Sequence, residues 1–211
     1  MESLPEKTIE RLSVYRRTLL NCLDNGKEFI YSHELAELHN ITAVQVRRDL
    51  MLIGYSTTLK KGYDVKALVD LIGEILDSVT GLNVAVVGIG NLGRAITAYF
   101  KGKRSKLQIV AAFDTDPEKV NRVISGVKVY PMNQLQEIID QKDISIGILT
   151  VPPEHASKVA ESLVVAGAKG ILNYTSVPVN VSSDIILENY DMTTSLEKVA
   201  YYVKQHTAKT I

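Results

Sequence analysis

Two groups of residues carry chemistry by their types and spacing. The first is Gly88-Ile89-Gly90-Asn91-Leu92-Gly93. It follows the apolar run Val84-Ala85-Val86-Val87 and opens a helical stretch, Leu92 to Phe100. That context suits a pyrophosphate-binding turn. Gly88 permits the tight turn, Gly90 lets the backbone approach a pyrophosphate, and Gly93 allows the helix to pack close to the strand. The helix N-terminus adds unpaired N–H groups and a positive partial charge. A second apolar run, Ile109 to Phe113, ends at Asp114, 21 residues beyond Gly93. A carboxylate there accepts hydrogen bonds from ribose hydroxyls and repels a 2′-phosphate, which favours NAD over NADP. The competing view is a glycine turn and a surface acid with no ligand.

The second group lies on a short helix from Thr42 to Ile53. Val46, Leu50 and Ile53 fall at i, i+4 and i+7 and face a core. Val44, Arg48 and Met51 then face outward, with Arg47 on the flank. Arg47 and Arg48 reach phosphates or guanine edges, and Val44 suits a thymine methyl. Thr42 and Gln45 read as a capping box that starts the helix. Ser32 opens a preceding short helix through Leu35 and Leu38, and Asn40 sits in a tight turn. This is a helix-turn-helix, which places its second helix in the major groove. Lys60, Lys61 and Tyr63 follow in a polar loop that suits a wing on the phosphate backbone. Thr42, Val44, Gln45, Arg47, Arg48, Lys60, Lys61 and Tyr63 are therefore the candidate DNA-binding set. The plain alternative is a solvated helix face and a charged loop.

The elements that must position these residues divide the chain. In the first part, Ser3-Leu4-Pro5-Glu6 reads as a capping box, Ile9, Leu12, Leu19 and Leu23 recur at near-helical spacing, and Asn25-Gly26 stops the helix. A further helix, Val65 to Val79, carries Leu68, Leu71, Ile72, Ile75 and Leu76, and Gly81 marks a boundary. Beyond it, apolar runs at Asn83–Val87, Ile109–Phe113, Ile144–Val151 and Gly170–Asn173 alternate with helical stretches at Leu92–Phe100, Pro117–Ser125, Asn133–Gln141 and Glu154–Ala166. That alternation predicts a doubly wound parallel sheet. Ser195 to His206 is an amphipathic helix with Leu196, Val199, Ala200 and Val203 on one face. The expected organisation is an α/β chain with a DNA-binding domain over 1–80, a nucleotide-binding domain over 81–190 and a C-terminal segment over 191–211.

Composition removes several classes. The 211 residues hold 24 Lys and Arg against 24 Asp and Glu, so a bulk-basic nucleic-acid coat is excluded and any DNA contact must be local. One cysteine, Cys22, excludes an internal disulfide and a cysteine-based zinc site, and fits a reducing cytoplasm. No long apolar run suggests a membrane span, and no His-x-x-x-His pair or acidic cluster suggests a metal. A dehydrogenase needs a substrate domain and an acid–base group. His155, next to Pro152-Pro153-Glu154, reads as a surface histidine at a helix start, and Tyr99 lacks a lysine at a recognisable spacing. The site has a cofactor loop and no evident catalysis.

The whole chain resembles the bacterial redox-sensing transcriptional repressor family Rex. The resemblance is carried by Pro5-Glu6 with Arg11-Leu12 and Tyr15, by Ile41-Thr42-Ala43 with Gln45-Val46-Arg47-Arg48-Asp49-Leu50, and by Gly62-Tyr63. It continues through Val87 to Gly93, Phe113-Asp114 with Asp116-Pro117-Glu118-Lys119-Val120, Leu149-Thr150-Val151-Pro152 and Gly167 to Asn173. It implies a winged helix-turn-helix joined to a Rossmann-like sheet, in a homodimer whose C-terminal helix is swapped into the partner. It implies no enzyme activity, binding of NADH and NAD⁺, and a pseudo-palindromic operator from which NADH releases the protein. Carried over by position, Gly88 to Gly93 match the pyrophosphate loop and Asp114 the ribose-binding acid. Thr150, Val151, Pro152 and Asn173 match segments near the nicotinamide half. Arg17, Tyr99 and Asp191 match a polar set that links the two kinds of domain, and Tyr99 also counts with the cofactor site.

The chain departs from the family at Thr57 and Lys60, where glycines are usual, and at Leu59, where arginine is usual. Tyr174-Thr175-Ser176 replaces Phe-Ala-Pro, and Met192 replaces a larger or branched apolar residue. Two other readings therefore stand beside the repressor: a small NAD-dependent oxidoreductase with a helical appendage, and a DNA-binding paralogue with an altered redox response.

Overall fold

The computed structural model describes residues 3–56, 61–100 and 106–208. The chain divides into two compact units, Met1–Ser78 and Val79–Ile211. The first contains α1 (Glu6–Asp24), β1 (Phe29–Ile30), α2 (Ser32–Leu38), α3 (Ala43–Leu52), β2 (Tyr63–Asp64) and α4 (Val65–Leu76). On α1 the buried residues are Thr8, Leu12, Tyr15 and Leu19, the 4-3-4 spacing of a single stripe. They close on Leu35, Val46, Leu50, Leu68 and Ile72. Each such Leu or Ile contributes roughly 1.5–3 kcal/mol by leaving water. Ile9, expected on the stripe, is off it and 43% exposed.

Local chemistry sets the helix ends. Pro5 is the N-cap of α1 and gives no side-chain bond, so the Ser3–Glu6 capping box does not form. Tyr31, one residue earlier than expected, caps α2, and its N–H donates to the Glu34 carboxylate at 2.7 Å. Thr42 caps α3 by accepting the Gln45 N–H at 3.1 Å. The Gln45 side chain does not complete a capping box; it bonds forward to Asp49. Asn40 turns the chain between α2 and α3 at a φ of 53°. The β1–β2 pair is antiparallel, with Ile30 opposite Tyr63. Gly62 has a φ of +94°, and a Cβ there would lie 2.7 Å from the Ile30 carbonyl oxygen, so this turn requires glycine.

The second unit contains β3 (Leu82–Val87), α5 (Asn91–Phe100), β4 (Leu107–Asp114), β5 (Val123–Ile124), β6 (Val127–Pro131), α6 (Leu135–Gln141), β7 (Ile144–Leu149), α7 (Pro153–Val165), β8 (Gly170–Asn173), β9 (Ile186–Asn189) and α8 (Met192–Ala208). The sheet order is β5-β6-β4-β3-β7-β8-β9, and every pairing is parallel except β5–β6. Counting only the parallel strands gives 3-2-1-4-5-6, the doubly wound order with its switch point between β3 and β7. Alternate residues of β3 serve opposite faces. Val84 and Val86 pack with Ile96 of α5, while Ala85 and Val87 pack with Leu135, Ala160 and Leu163. A Cβ at Gly147 would stand 2.5 Å from Leu163, so the missing side chain lets α7 lie close to β7.

One expected helix is absent. Residues 117–125 form a turn followed by the first strand of the β5–β6 hairpin. The Asp116 carboxylate accepts the Glu118 N–H at 2.9 Å, and Asn121 takes a φ of 63°. Ser125 and Gly126, with φ of 53° and 85°, supply the two left-handed residues that a tight hairpin turn needs. The local polar side chains therefore win over the weak helical periodicity. α8 begins at Met192 rather than Ser195, and all its described side chains, 192–206, are exposed. Leu196 is 71% exposed, so the apolar face that the sequence predicts is uncovered by its own chain.

Candidate nucleotide site and recognition helix

The turn from β3 into α5 is held by the chain itself. Gly88 donates its N–H to the Phe113 carbonyl at 2.8 Å and has a φ of +94°. A Cβ on Gly88 would lie 2.7 Å from the Thr150 carbonyl oxygen, and one on Gly93 would lie 2.1 Å from the Gly88 oxygen. The Thr150 hydroxyl donates toward the Gly88 carbonyl at 2.7 Å. These two glycines are required by the fold. Gly90 differs: its φ is not positive, no atom of a described residue beyond its chain neighbours lies within 4 Å of a Cβ built there, and it lines a cleft of about 790 Å³. Its missing side chain leaves space that no described residue fills.

Asp114, at the end of β4, ties the turn down. One carboxylate oxygen accepts the Ile89 N–H at 2.8 Å and faces the Lys119 ammonium at 3.3 Å; the other accepts the Asp116 N–H at 2.9 Å. A carboxylate offers about four acceptor positions. Among the described residues one of these has no partner, and the Lys119 ammonium lies beside it. Asp116 sits below the usual carboxylate range because it accepts the Glu118 N–H and faces Lys119. Met132, Leu135, Val151 and Val159 line the same cleft and make an apolar slot suited to a flat base. The residues present fit a dinucleotide.

Of the expected cofactor residues, Gly88, Gly90, Asp114, Thr150, Val151 and Pro152 line the cleft. Ile89 and Gly93 are buried behind it, Leu92 packs against the sheet, and Asn91 is exposed at the start of α5. Asn173 is 1% exposed and its amide is committed. It donates to the Val177 carbonyl and the Asn189 side chain, and accepts from the N–H and hydroxyl of Thr175. Its place is therefore to anchor the segment between β8 and β9. Tyr99 lies on the exposed side of α5, its ring edge-on to Phe100. Asp191 caps α8: it accepts the Thr193 N–H at 2.8 Å and the Thr194 hydroxyl at 2.6 Å, which holds its carboxyl below the ordinary range. Arg17 is exposed on α1.

The sequence reading gave no role to Asp116, Lys119 or Lys158, which also line the cleft, as does His155, exposed at the start of α7 as the surface-histidine reading expects. Lys119 was legible as a cation five positions after Asp114.

In the first unit, Val44, Arg47, Arg48, Met51 and Leu52 line a shallow depression on the outer face of α3. Arg47 donates to the Ser32 hydroxyl at 3.2 Å. The Thr42 hydroxyl is spent on the cap. Lys61 is exposed, Tyr63 is half-buried against Tyr55, and Lys60 lies outside the described residues, as do Thr57 and Leu59. The inner face of α3 carries Asp49, fully buried. Burial would raise its pKa, but Arg11, Tyr15 and Gln45 all donate to it and hold it low.

His39, after α2, contacts the Thr18 hydroxyl at 3.1 Å, and burial together with the Arg17 charge lowers its pKa. The folded value is below the unfolded one, so its contribution is whole above about pH 6.5 and is lost as pH falls through the folded value. The urea midpoint of the first unit is expected to fall between pH 7 and 5, and His39→Gln should flatten that fall. An unchanged slope would remove His39 from the account.

Comparison with known proteins agrees with this division. Residues 80–177 match the family "CoA binding domain", and residues 3–50 match "Putative DNA-binding protein N-terminus". A redox-sensing transcriptional repressor Rex of Lactobacillus acidophilus is 37% identical over 200 residues, covering 95% of each chain. The chain belongs to the Rex family of redox-sensing transcriptional repressors. Rex of Listeria welshimeri is 35% identical over 207 residues, covering 98% of this chain and 96% of that protein. Among solved structures, the Rex-family repressor RSP in complex with β-NAD⁺ and operator DNA is 32% identical with a TM-score of 0.89, over 100% of this chain and 97% of that one. RSP with β-NADH gives a TM-score of 0.86 at 32% identity, over 100% and 99%. Rex relatives are named as repressors, not as enzymes. No helix among the described residues is long and apolar enough to cross a membrane, and no group of three or more His, Cys, Asp or Glu among them could hold a metal ion.

Proposed function

We propose that this chain is a cytoplasmic repressor that binds a pseudo-palindromic operator as a homodimer, senses the NADH/NAD⁺ ratio and leaves DNA when NADH binds. The observation that carries the nucleotide half is Gly90, whose absent side chain opens only onto the cleft. Asp114 and Asp116 put two carboxylates against one ammonium where the adenosine ribose would lie. That arrangement disfavours a phosphate on the 2′- or 3′-oxygen, and so NADP and coenzyme A alike. Outward Arg47 and Arg48 on α3 support the DNA half, and the uncovered face of α8 supports exchange of this helix between two copies.

NADH shifts a two-state protein only by binding the two states unequally. Arg17, Tyr99 and Asp191 are the set we assign to that coupling. Asp191 already caps α8, so a new partner for its carboxylate would disturb the start of this helix.

The test is titration of NADH and NAD⁺ against the protein–operator complex. NADH should dissociate it and NAD⁺ should not. A small oxidoreductase would instead consume nicotinamide absorbance with a carbonyl substrate, and a paralogue with an altered response would treat both nucleotides alike. Asp114→Ala should weaken NADH binding and narrow the NADH/NADPH preference, read by fluorescence titration. Equal affinities before and after would take Asp114 out of the site.

A further inference from the structure

The buried Asp49 carboxylate has four hydrogen bonds. One oxygen accepts from Arg11 Nε at 2.6 Å and the Tyr15 hydroxyl at 2.9 Å. The other accepts from the second Arg11 nitrogen at 2.7 Å and Gln45 Nε2 at 2.9 Å. An ionised carboxylate only accepts, so the Gln45 amide must turn its NH₂ end inward. Gln45 lies one turn before Asp49 on α3, between the outward Val44 and the inward Val46, and is half-buried. Among the described residues its Oε1 and second Nε2 hydrogen have no partner.

We propose that Gln45 reads an adenine in each half-site, and that Asp49 is the positioning residue that fixes which end of the amide is offered. This rests on the repressor reading and deepens it. A side-chain amide offers one acceptor and one donor, which complement the donor at N6 and the acceptor at N7 of adenine. Guanine shows two acceptors on the same edge, so Oε1 would face O6 with no proton between them. The fixed amide therefore discriminates adenine from guanine. Arg47 and Arg48, carrying donors alone, favour guanine or phosphate.

The experiment is selection from a random-sequence duplex DNA pool by the full-length protein with NAD⁺. Wild type should enrich a site with adenine strongly favoured over guanine at one position of each half-site. Gln45→Met should lose that preference by about 5- to 150-fold, with the other positions and the salt dependence unchanged. Gln45→Lys should turn it toward guanine. Asp49→Asn, whose amide can donate or accept, should lower the adenine-over-guanine ratio at that position alone, whereas a merely structural Asp49 would lower affinity at all positions together. Where Asp49→Asn does not fold, the Gln45 variants decide. A wild-type preference that survives unchanged in Gln45→Met overturns this assignment and leaves the repressor reading standing. A wild-type protein that enriches no sequence overturns both.

Discussion

Gly90→Ala is expected to leave the ligand-free protein at least as stable as wild type while costing NADH binding tenfold or more. Among the described residues, nothing beyond the chain neighbours lies within 4 Å of the added methyl, and the backbone φ is not in the left-handed region that favours glycine. Replacing glycine at such a position reduces the freedom of the unfolded chain and stabilises by about 0.4–1 kcal/mol. The same methyl occupies the space where a pyrophosphate would approach, and crowding of that kind costs about 1–3 kcal/mol. Gly93→Ala should behave in the opposite way. Its methyl would sit 2.1 Å from the Gly88 oxygen, so the turn itself must move. We expect a loss of about 3 kcal/mol or more in the ligand-free protein. Thermal unfolding with and without NADH separates the two variants. Equal destabilisation by both would mean that Gly90 serves the fold and not a ligand.

Arg11→Met is expected to destabilise the first unit by about 3–5 kcal/mol, because it leaves a buried carboxylate without its cation. Asp49 is fully buried and takes two of its four hydrogen bonds from Arg11. Against a typical total of about 5–15 kcal/mol, that loss is large. Tyr15→Phe removes a single bond to the same group and should cost less, about 1–3 kcal/mol. Urea denaturation would show an early transition in Arg11→Met, with DNA affinity lost and NADH affinity kept, since the residues proposed for the two ligands lie in different units. A single unchanged transition would show that the carboxylate tolerates solitude.

The parts of this molecule that the sequence made legible are those ruled by periodicity or by backbone geometry. The glycine turn, Asp114 at the end of its strand and the inward stripe of α3 are of that kind. The hairpin over 123–131 was not, because its shape depends on Asn121 and Ser125 adopting left-handed backbone that both residues tolerate but neither announces. Asn173 was placed near the nicotinamide by resemblance. Its buried, fully bonded amide follows from Thr175 and Asn189, contacts that no spacing rule reveals. Asp49 likewise reads as one charge among several on a polar helix, until the fold sets it beneath Arg11 and Tyr15.

The sheet order has a consequence for how this protein is made. β3, β4 and β6 are neighbours in the sheet and also the first three parallel strands to be synthesised. A nascent chain that has emerged as far as Pro131 already contains Ile89, Asp114, Asp116 and Lys119, which tie down the Asp114 side of the cleft. Thr150, which closes on Gly88 from the other side, has not yet left the ribosome. Chains emerge at about 5–20 residues per second, and their N-terminal domains generally fold first. The first unit and then the Asp114 side of the cleft can therefore assemble in the order of translation, while the opposite wall waits for Thr150 to be made.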